Sequence, residues 1–303
     1  MLFRSPMPSA ATPMADVLTL PLPDPAPENA PEEQYLDDET ERLRHAIEHN
    51  EFSQYFQKIK PLSNTALQVP FCELLLRLKE EEESKTPPGA FLPLAEELGL
   101  MPRLDRWVVS HLLEWVAADM SRSRALYSLN LAPQTVVDPH YAGFVQQQLL
   151  TNRLPGTMLC FEFAETDVTA HWDLVTKLIG RLKGFGGQIA ISGFGRNPIT
   201  FELLKKLPVD YVKIDGSLIL SMFRSPVELA RVKAIHQLAH SLNIRTIAEN
   251  VEDARTIKAL LSLGIDHAQG FAVSRPKHLD ELQTLPSLEY VPQESADADA
   301  RAA

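Results

Sequence analysis

The chain has 303 residues, of which 45% are apolar and 23% charged, a composition that supports a large buried core in one or two domains. Its net charge of −11 disfavours a nucleic-acid partner, and it contains no run of about 18 apolar residues, so membrane insertion is not expected. Pro6, Pro8 and Pro13 interrupt any apolar core of a signal peptide, which favours a cytoplasmic protein.

Most of the negative charge lies at the two ends of the chain. Residues 1–40 hold eight acidic residues and one basic residue, and residues 287–303 hold four and one. The sequence between them is almost neutral, with 28 acidic and 27 basic residues. Because both ends are rich in proline, alanine and acids and poor in aromatics, we expect disordered tails at 1–40 and 287–303 around a folded domain at 41–286.

The folded part alternates strands with helices. Strands are predicted at 55–59, 69–76, 126–131, 158–163, 188–192, 209–214, 244–249 and 267–273. Helices are predicted at 38–50, 89–98, 104–118, 138–150, 168–184, 199–206, 225–242 and 253–263. Eight strands interleaved with helices indicate an α/β protein with a (β/α)₈ barrel of the TIM type. An open doubly wound sheet is the alternative, but its Gly-x-Gly-x-x-Gly turn is missing.

Polar side chains stand at the carboxyl ends of the predicted strands. Since these ends meet at one mouth of a barrel, Glu73, Asn130, Glu162, Asp215 and Glu249 predict an oxygen-rich cluster suited to a hard cation such as Mg²⁺. Lys213 shares a strand face with Asp215, Glu252 lies one helical turn beyond Glu249, and Arg77 could grip a phosphate. The fifth strand is the exception, because it ends in Ser192 and Gly193.

The cysteines and histidines do not indicate metal or redox chemistry. Cys72 and Cys160 are interpreted as small buried apolar residues rather than a disulfide pair. The nine histidines show no ligand spacing typical of zinc sites.

The segment from Cys72 to Arg77 resembles the signature strand of EAL domains, the cyclic di-GMP phosphodiesterase family. The resemblance continues in order over most of residues 40–286. Its further segments are 91–97, Asp105-Arg106-Trp107, Asn130-Leu131, 161–165, 207–215, Ala248 to Glu252, Gln269-Gly270-Phe271 and Ser274-Arg275-Pro276. The resemblance implies a modified (β/α)₈ barrel, in agreement with the count of strands.

The resemblance also implies a nucleotide groove. Its side chains would be Gln57, Arg77, Asp215, Glu249, Glu252 and Gln269, with the backbone around Leu75 lining it and Asp105 near a guanine. Lys213 and Glu249 would be remnants of the catalytic machinery.

The fifth strand departs from the family pattern. Active members carry two adjacent aspartates there, which hold two metal ions, and Ser192 and Gly193 take those places here. Two cations about 4 Å apart repel each other and need a shared anionic oxygen between them. A serine and a glycine provide none, so the two-metal site and its hydroxide nucleophile are expected to fail. Phe194 and Gly195 are retained. The five residues that follow them, 196–200, differ from the family loop that supports catalysis and, in many members, dimerisation.

Three functions remain open from the sequence. The first is a non-catalytic cyclic di-GMP receptor that passes the signal to an unidentified protein partner, as degenerate EAL domains do. The second is a protein-interaction module that no longer uses the nucleotide, and the third is a weak residual Mg²⁺-dependent phosphodiesterase. No cofactor is required, although one Mg²⁺ ion held by Glu73, Asn130 and Glu162 is kept as an alternative, and homodimerisation is left open.

Overall fold

The structure is a computed structural model that describes residues 32–63, 69–79, 89–196 and 201–283. Within these residues the strands are β1 (Phe52–Pro61), β2 (Phe71–Leu78), β3 (Leu126–Asn130), β4 (Leu159–Ala164), β5 (Gln188–Phe194), β6 (Tyr211–Ile214), β7 (Arg245–Ala248), β8 (His267–Ala268) and β9 (Lys277–His278). The helices are α1 (Glu32–Glu48), α2 (Leu92–Glu97), α3 (Met101–Ala117), α4 (Pro133–Val136), α5 (Tyr141–Asn152), α6 (Glu165–Ala170), α7 (Trp172–Gly184), α8 (Phe201–Lys206), α9 (Gly216–Ser221), α10 (Pro226–Ser241) and α11 (Ala254–Leu263).

The described strands form one closed barrel. Strands β2 to β8 run parallel in chain order, and β1 closes the ring because it pairs antiparallel with β2 on one side and β8 on the other. The register of the first closure places Gln57 opposite Glu73, and that of the second places Lys60 opposite Ala268. The predicted barrel is confirmed, and its antiparallel first strand is the modification.

The main hydrophobic core fills the space between the barrel and its surrounding helices. Alternate residues of the strands, such as Phe161 and Phe163 on β4, are fully buried there together with Val175, Ile179 and Leu182 of α7. A smaller core lies beside β1 and packs residues of α1 against α3, with Leu43 and Leu104 almost completely buried. With their apolar faces buried, the strands present their polar carboxyl ends at the mouth.

Several predicted elements differ in extent from the observed ones. The strand predicted at 267–273 ends at Ala268, because the next residues turn back along Val251, whose N–H donates to the Gln269 carbonyl at 2.9 Å. Gly270 makes this turn with a φ of +150°, and a Cβ there would lie 2.3 Å from the Val251 backbone. The helix predicted at 168–184 is divided at His171, and the one predicted at 38–50 begins earlier, at Glu32. Residues 32–40 of the tail predicted at 1–40 therefore belong to helix α1, which corrects that prediction. Residues 1–31, the whole predicted tail at 287–303 and the segment 197–200 lie outside the described residues.

Two further sequence predictions concern membranes and cysteines. Among the described helices, none has the length and apolarity needed to cross a bilayer. Cys72 and Cys160 are both buried free thiols, as the sequence predicts.

Candidate functional site

Lys213 lies at the centre of the barrel mouth. Its side chain is only 2% exposed, and its Nζ contacts three carboxylates, Glu73 at 2.7 Å, Glu162 at 2.8 Å and Glu249 at 3.2 Å. These four residues come from β2, β4, β6 and the end of β7, so the parallel barrel brings them together. The carboxylates raise the pKa of Lys213 well above its ordinary value although burial opposes this. The ammonium is therefore permanently charged.

The three carboxylates around Lys213 are not equivalent. Burial would raise the pKa of Glu73, but the Lys213 charge and hydrogen bonds from Asn130 and Gln269 lower it overall. Burial and the neighbouring Glu73 charge raise the pKa of Glu162 to about 7, and burial also raises the pKa of Glu249. The cluster thus favours the ionised form of Glu73 and makes Glu162 and Glu249 easier to protonate than ordinary glutamates.

Amide and hydroxyl groups complete the hydrogen bonding of this cluster. Asn130 and Gln269 each donate to Glu73 at 2.6 Å, and Gln269 also donates to Gln57 at 3.1 Å. Ser128 donates to Glu162. Ser128 and Asn130 are two residues apart on β3, so their side chains lie on the same face of the strand. This spacing could have identified Ser128 as a further site residue from the sequence.

The carboxyl end of β5 is irregular. Its register to β6 shifts between Ile191 and Phe194, so Ser192 and Gly193 form a bulge. Gly193 has a φ of +64°, in the left-handed region that favours glycine. The loop that follows is held by Glu165, whose carboxylate accepts the Gly195 N–H at 3.3 Å.

Asp215, immediately after β6, has both carboxylate oxygens engaged. Oδ1 accepts the Ser217 N–H at 2.9 Å and caps α9, and the Ser217 hydroxyl donates to the same oxygen. Oδ2 pairs with the Arg196 guanidinium at 3.0 Å. The Asp215 side chain is 5% exposed whereas that of Arg196 is 70% exposed, so the arginine reaches from solvent to cover a buried carboxylate.

A cavity of about 260 Å³ opens beside the Lys213 cluster. Its lining includes five predicted site residues, Gln57, Glu73, Glu249, Glu252 and Gln269, together with Asn250, Gly270 and Phe271. Phe271 is 56% exposed, and the Arg275 guanidinium lies 4.9 Å from its ring centroid. The volume is just below the range of about 300–1,000 Å³ for small-molecule pockets, and its open side lets a larger ligand extend along the mouth.

Four residues predicted to bind the nucleotide lie outside the lining of this cavity. Leu75 and Arg77 are further along β2, and the Arg77 guanidinium donates to the Leu76 carbonyl at 2.7 Å and lies near the Tyr55 ring. Asp105, on α3, is buried and accepts the Ala132 N–H at 3.0 Å. Asp215 is on the Arg196 side of the mouth. Their roles towards a nucleotide stay predictions.

The oxygen-rich cluster does not fit a metal ion in this arrangement. Among the described residues, no three Asp, Glu, His or Cys side chains are placed to hold a metal ion together. Lys213 Nζ lies between Glu73 and Glu162, and Asn130 directs its amide nitrogen at Glu73. A cation at Glu73, Asn130 and Glu162 would have to compete with this ammonium. Single-ion binding there stays a prediction.

Two residues outside the predicted site are positioned by the fold. Glu165 and Arg196 were recognisable in the sequence, the first within the fourth strand motif and the second as a departure from the family loop. Their contacts could not be recognised there, because both join residues that are distant in the chain. Glu165 contacts Gly195, 30 residues away, and Arg196 contacts Asp215, which follows the next strand.

Comparison with known proteins gives a family match and sequence relatives that agree with each other. The family model described as "EAL domain" matches residues 40–276. The cyclic di-GMP phosphodiesterase PdeF of Escherichia coli strain K12 is 33% identical over 256 residues, which are 84% of this chain and 33% of PdeF. The chain therefore spans about a third of the length of the curated relatives it matches.

Solved structures with related sequences have the same fold. The FimX EAL domain from Pseudomonas aeruginosa bound to c-di-GMP is 28% identical, with a TM-score of 0.72 over 79% of this chain and 96% of that one. The PaMucR phosphodiesterase in its c-di-GMP complex is 26% identical, with a TM-score of 0.73 over 81% of this chain and 100% of that one.

Proposed function

This chain belongs to the EAL domain family, and from that premise we propose that it is a non-catalytic receptor for cyclic di-GMP that passes the signal to a protein partner. The family contains cyclic di-GMP phosphodiesterases, which use divalent metal ions. In this chain nucleotide binding would be retained and the metal-dependent hydrolysis would be lost.

The observation that carries the proposal is the pairing of four strand-end carboxylates, Glu73, Glu162, Asp215 and Glu249, with side-chain cations. Lys213 holds Glu73, Glu162 and Glu249, and Arg196 holds Asp215. Positions 192 and 193 add no carboxylate. Metal-ion catalysis would need anionic oxygens that are free to bind two cations and generate a hydroxide nucleophile.

The cavity beside this cluster supports nucleotide binding. Glu252 would offer a carboxylate to the edge of a base, and the exposed Phe271 ring offers a stacking surface in the same cavity. Related EAL domains have been solved with c-di-GMP bound, which supports the choice of ligand. Coupling to a protein partner is proposed because a receptor that does not hydrolyse the nucleotide must pass the signal on by contact with another molecule.

We also propose the extent of the binding unit. The unit at 41–286 would be sufficient to hold the nucleotide, and residues 1–40 and 287–303 would not be needed for binding. Single-metal occupancy and homodimerisation remain subordinate proposals, to be measured by metal titration and by light scattering with and without nucleotide.

Isothermal titration of the full chain with cyclic di-GMP, in EDTA and in Mg²⁺, tests the proposal alongside chromatography of the nucleotide after long incubation. We expect micromolar or tighter binding without linear product. No binding in either buffer would favour a nucleotide-independent interaction module. Linear dinucleotide that disappears in Glu73→Ala would instead identify a residual phosphodiesterase.

A further inference from the structure

The electrostatics of the mouth pose a difficulty for an anionic ligand. Glu73, Glu162, Glu249 and Asp215 lie there, Glu252 lines the cavity beside them, and the buried Lys213 is committed to the first three. A cyclic dinucleotide brings two further negative charges. Its phosphates need a cation that is exposed and close to the mouth, since charge-assisted hydrogen bonds from a reachable guanidinium or ammonium are the strongest available.

Arg196 meets both requirements. Its side chain is 70% exposed, so the ion pair with Asp215 at 3.0 Å leaves much of the guanidinium open to solvent. A guanidinium carries five N–H donors in a planar fork, and one contact with Asp215 Oδ2 uses only part of them. The buried Asp215, fixed in turn by the cap on α9, holds the arginine at the mouth.

Gly193 adds no side chain beside the oxygen that Arg196 contacts. A Cβ at position 193 would lie 3.9 Å from Asp215 Oδ2, which is the oxygen that the Arg196 guanidinium contacts. A side chain at 193 would therefore start beside the oxygen that Arg196 contacts. Glycine adds no group there that could compete for the guanidinium.

We propose that Arg196 is a built-in cation that neutralises Asp215 and binds a phosphate of the cyclic dinucleotide, so that nucleotide binding by this chain is independent of metal ions. The inference rests on the proposed function. It adds the residue that binds the phosphate and the prediction that EDTA leaves the affinity unchanged. Asp215 acts as a positioning residue through Arg196.

The test is titration of cyclic di-GMP in EDTA and in Mg²⁺ with the wild type, Arg196→Gln, Arg196→Lys and Arg231→Gln. Arg231 is the matched control, because it is also an arginine paired with a glutamate, Glu228 at 3.3 Å, but on α10. We expect equal wild-type affinity in both buffers, at least a tenfold loss in Arg196→Gln, a smaller loss in Arg196→Lys and none in Arg231→Gln.

The outcomes distinguish this inference from the proposed function. If the wild type binds and Arg196→Gln binds equally well, or if the wild type needs Mg²⁺, the inference is overturned while the receptor role stands. If the wild type fails to bind in either buffer, the receptor role and the inference fall together. Thermal unfolding of each variant separates a lost phosphate contact from a damaged fold, since Arg196→Gln should unfold within a few degrees of the wild type.

Discussion

Lys213 and Glu73, 140 residues apart in the chain, form a buried ion pair of 2.7 Å in the interior of the barrel mouth. Glu162 and Glu249 depend on the same ammonium. The cluster has one cation for three carboxylates, so its stability depends on that cation.

The Lys213→Met variant should lose much of its stability. Removing one partner of a buried ion pair costs about 3–5 kcal/mol, because the remaining charges are left uncompensated in a poorly polarisable interior. Lys277→Met is the control, since its pair with Glu281 is exposed and worth less than about 1 kcal/mol. Urea unfolding at neutral pH measures both, and equal losses in the two variants would contradict the central role of Lys213.

Asp105 should make the stability of the protein depend on pH. Burial raises the pKa of its carboxyl from 3.8 to about 6, outweighing the Ala132 N–H and the Arg106 charge. Its stabilising contribution is complete below the unfolded pKa and is lost as the pH rises to about 6. Between pH 5 and 7 this loss amounts to about 1 kcal/mol.

The Asp105→Asn variant isolates this contribution. Its free energy of unfolding, relative to the wild type, should rise by about 1 kcal/mol between pH 5 and 7, because it has no carboxyl to titrate. A difference from the wild type that stays constant between pH 5 and 7 would show that folding does not favour the protonated form of the Asp105 carboxyl.

Two aspartates on the fifth strand should restore metal binding only when Arg196 is removed. Asp tolerates the left-handed φ of Gly193 better than most residues, and only Asp215 Oδ2 lies near the new Cβ. In Ser192→Asp with Gly193→Asp, the new carboxylates would pair with Arg196. Adding Arg196→Gln leaves them beside Asp215 without a counter-ion.

We therefore expect millimolar Mn²⁺ to raise the unfolding temperature of the triple variant by several degrees and that of the double variant by clearly less, because ligand binding stabilises the native state. The wild type and Arg196→Gln alone are the controls. An equal Mn²⁺ effect in the double and triple variants would show that Arg196 does not occupy the metal position.

Phe271 should contribute to nucleotide affinity by stacking. An aromatic side chain under a base is worth about 1–3 kcal/mol, so Phe271→Ala should weaken cyclic di-GMP binding about tenfold or more. Phe223→Ala is a matched control, because Phe223 is also exposed and stacks with an arginine, Arg255 at 4.1 Å, outside the cavity lining. Equal affinities of the two variants would place the base elsewhere.

The position of the site was readable from the sequence. Strands carry their side chains on alternate faces, and parallel strands of a barrel end at one mouth, so Glu73, Glu162 and Lys213 could be placed together before any contact was known. The family motifs identified the fold for the same reason, because they mark the strand ends in a fixed order. The turn at Gly270 escaped prediction, since the close approach of the Val251 backbone is a tertiary contact.

The sequence by itself determined the barrel, the cluster of polar strand ends and the absence of carboxylates at 192 and 193. Only the tertiary structure decided which cation neutralises which anion. Arg196 could be read in the sequence only as a change of loop, because its partner Asp215 follows the neighbouring strand β6 and the two meet only in the folded barrel. An ion pair needs two charges within about 4 Å, and such a distance is set by packing rather than by composition.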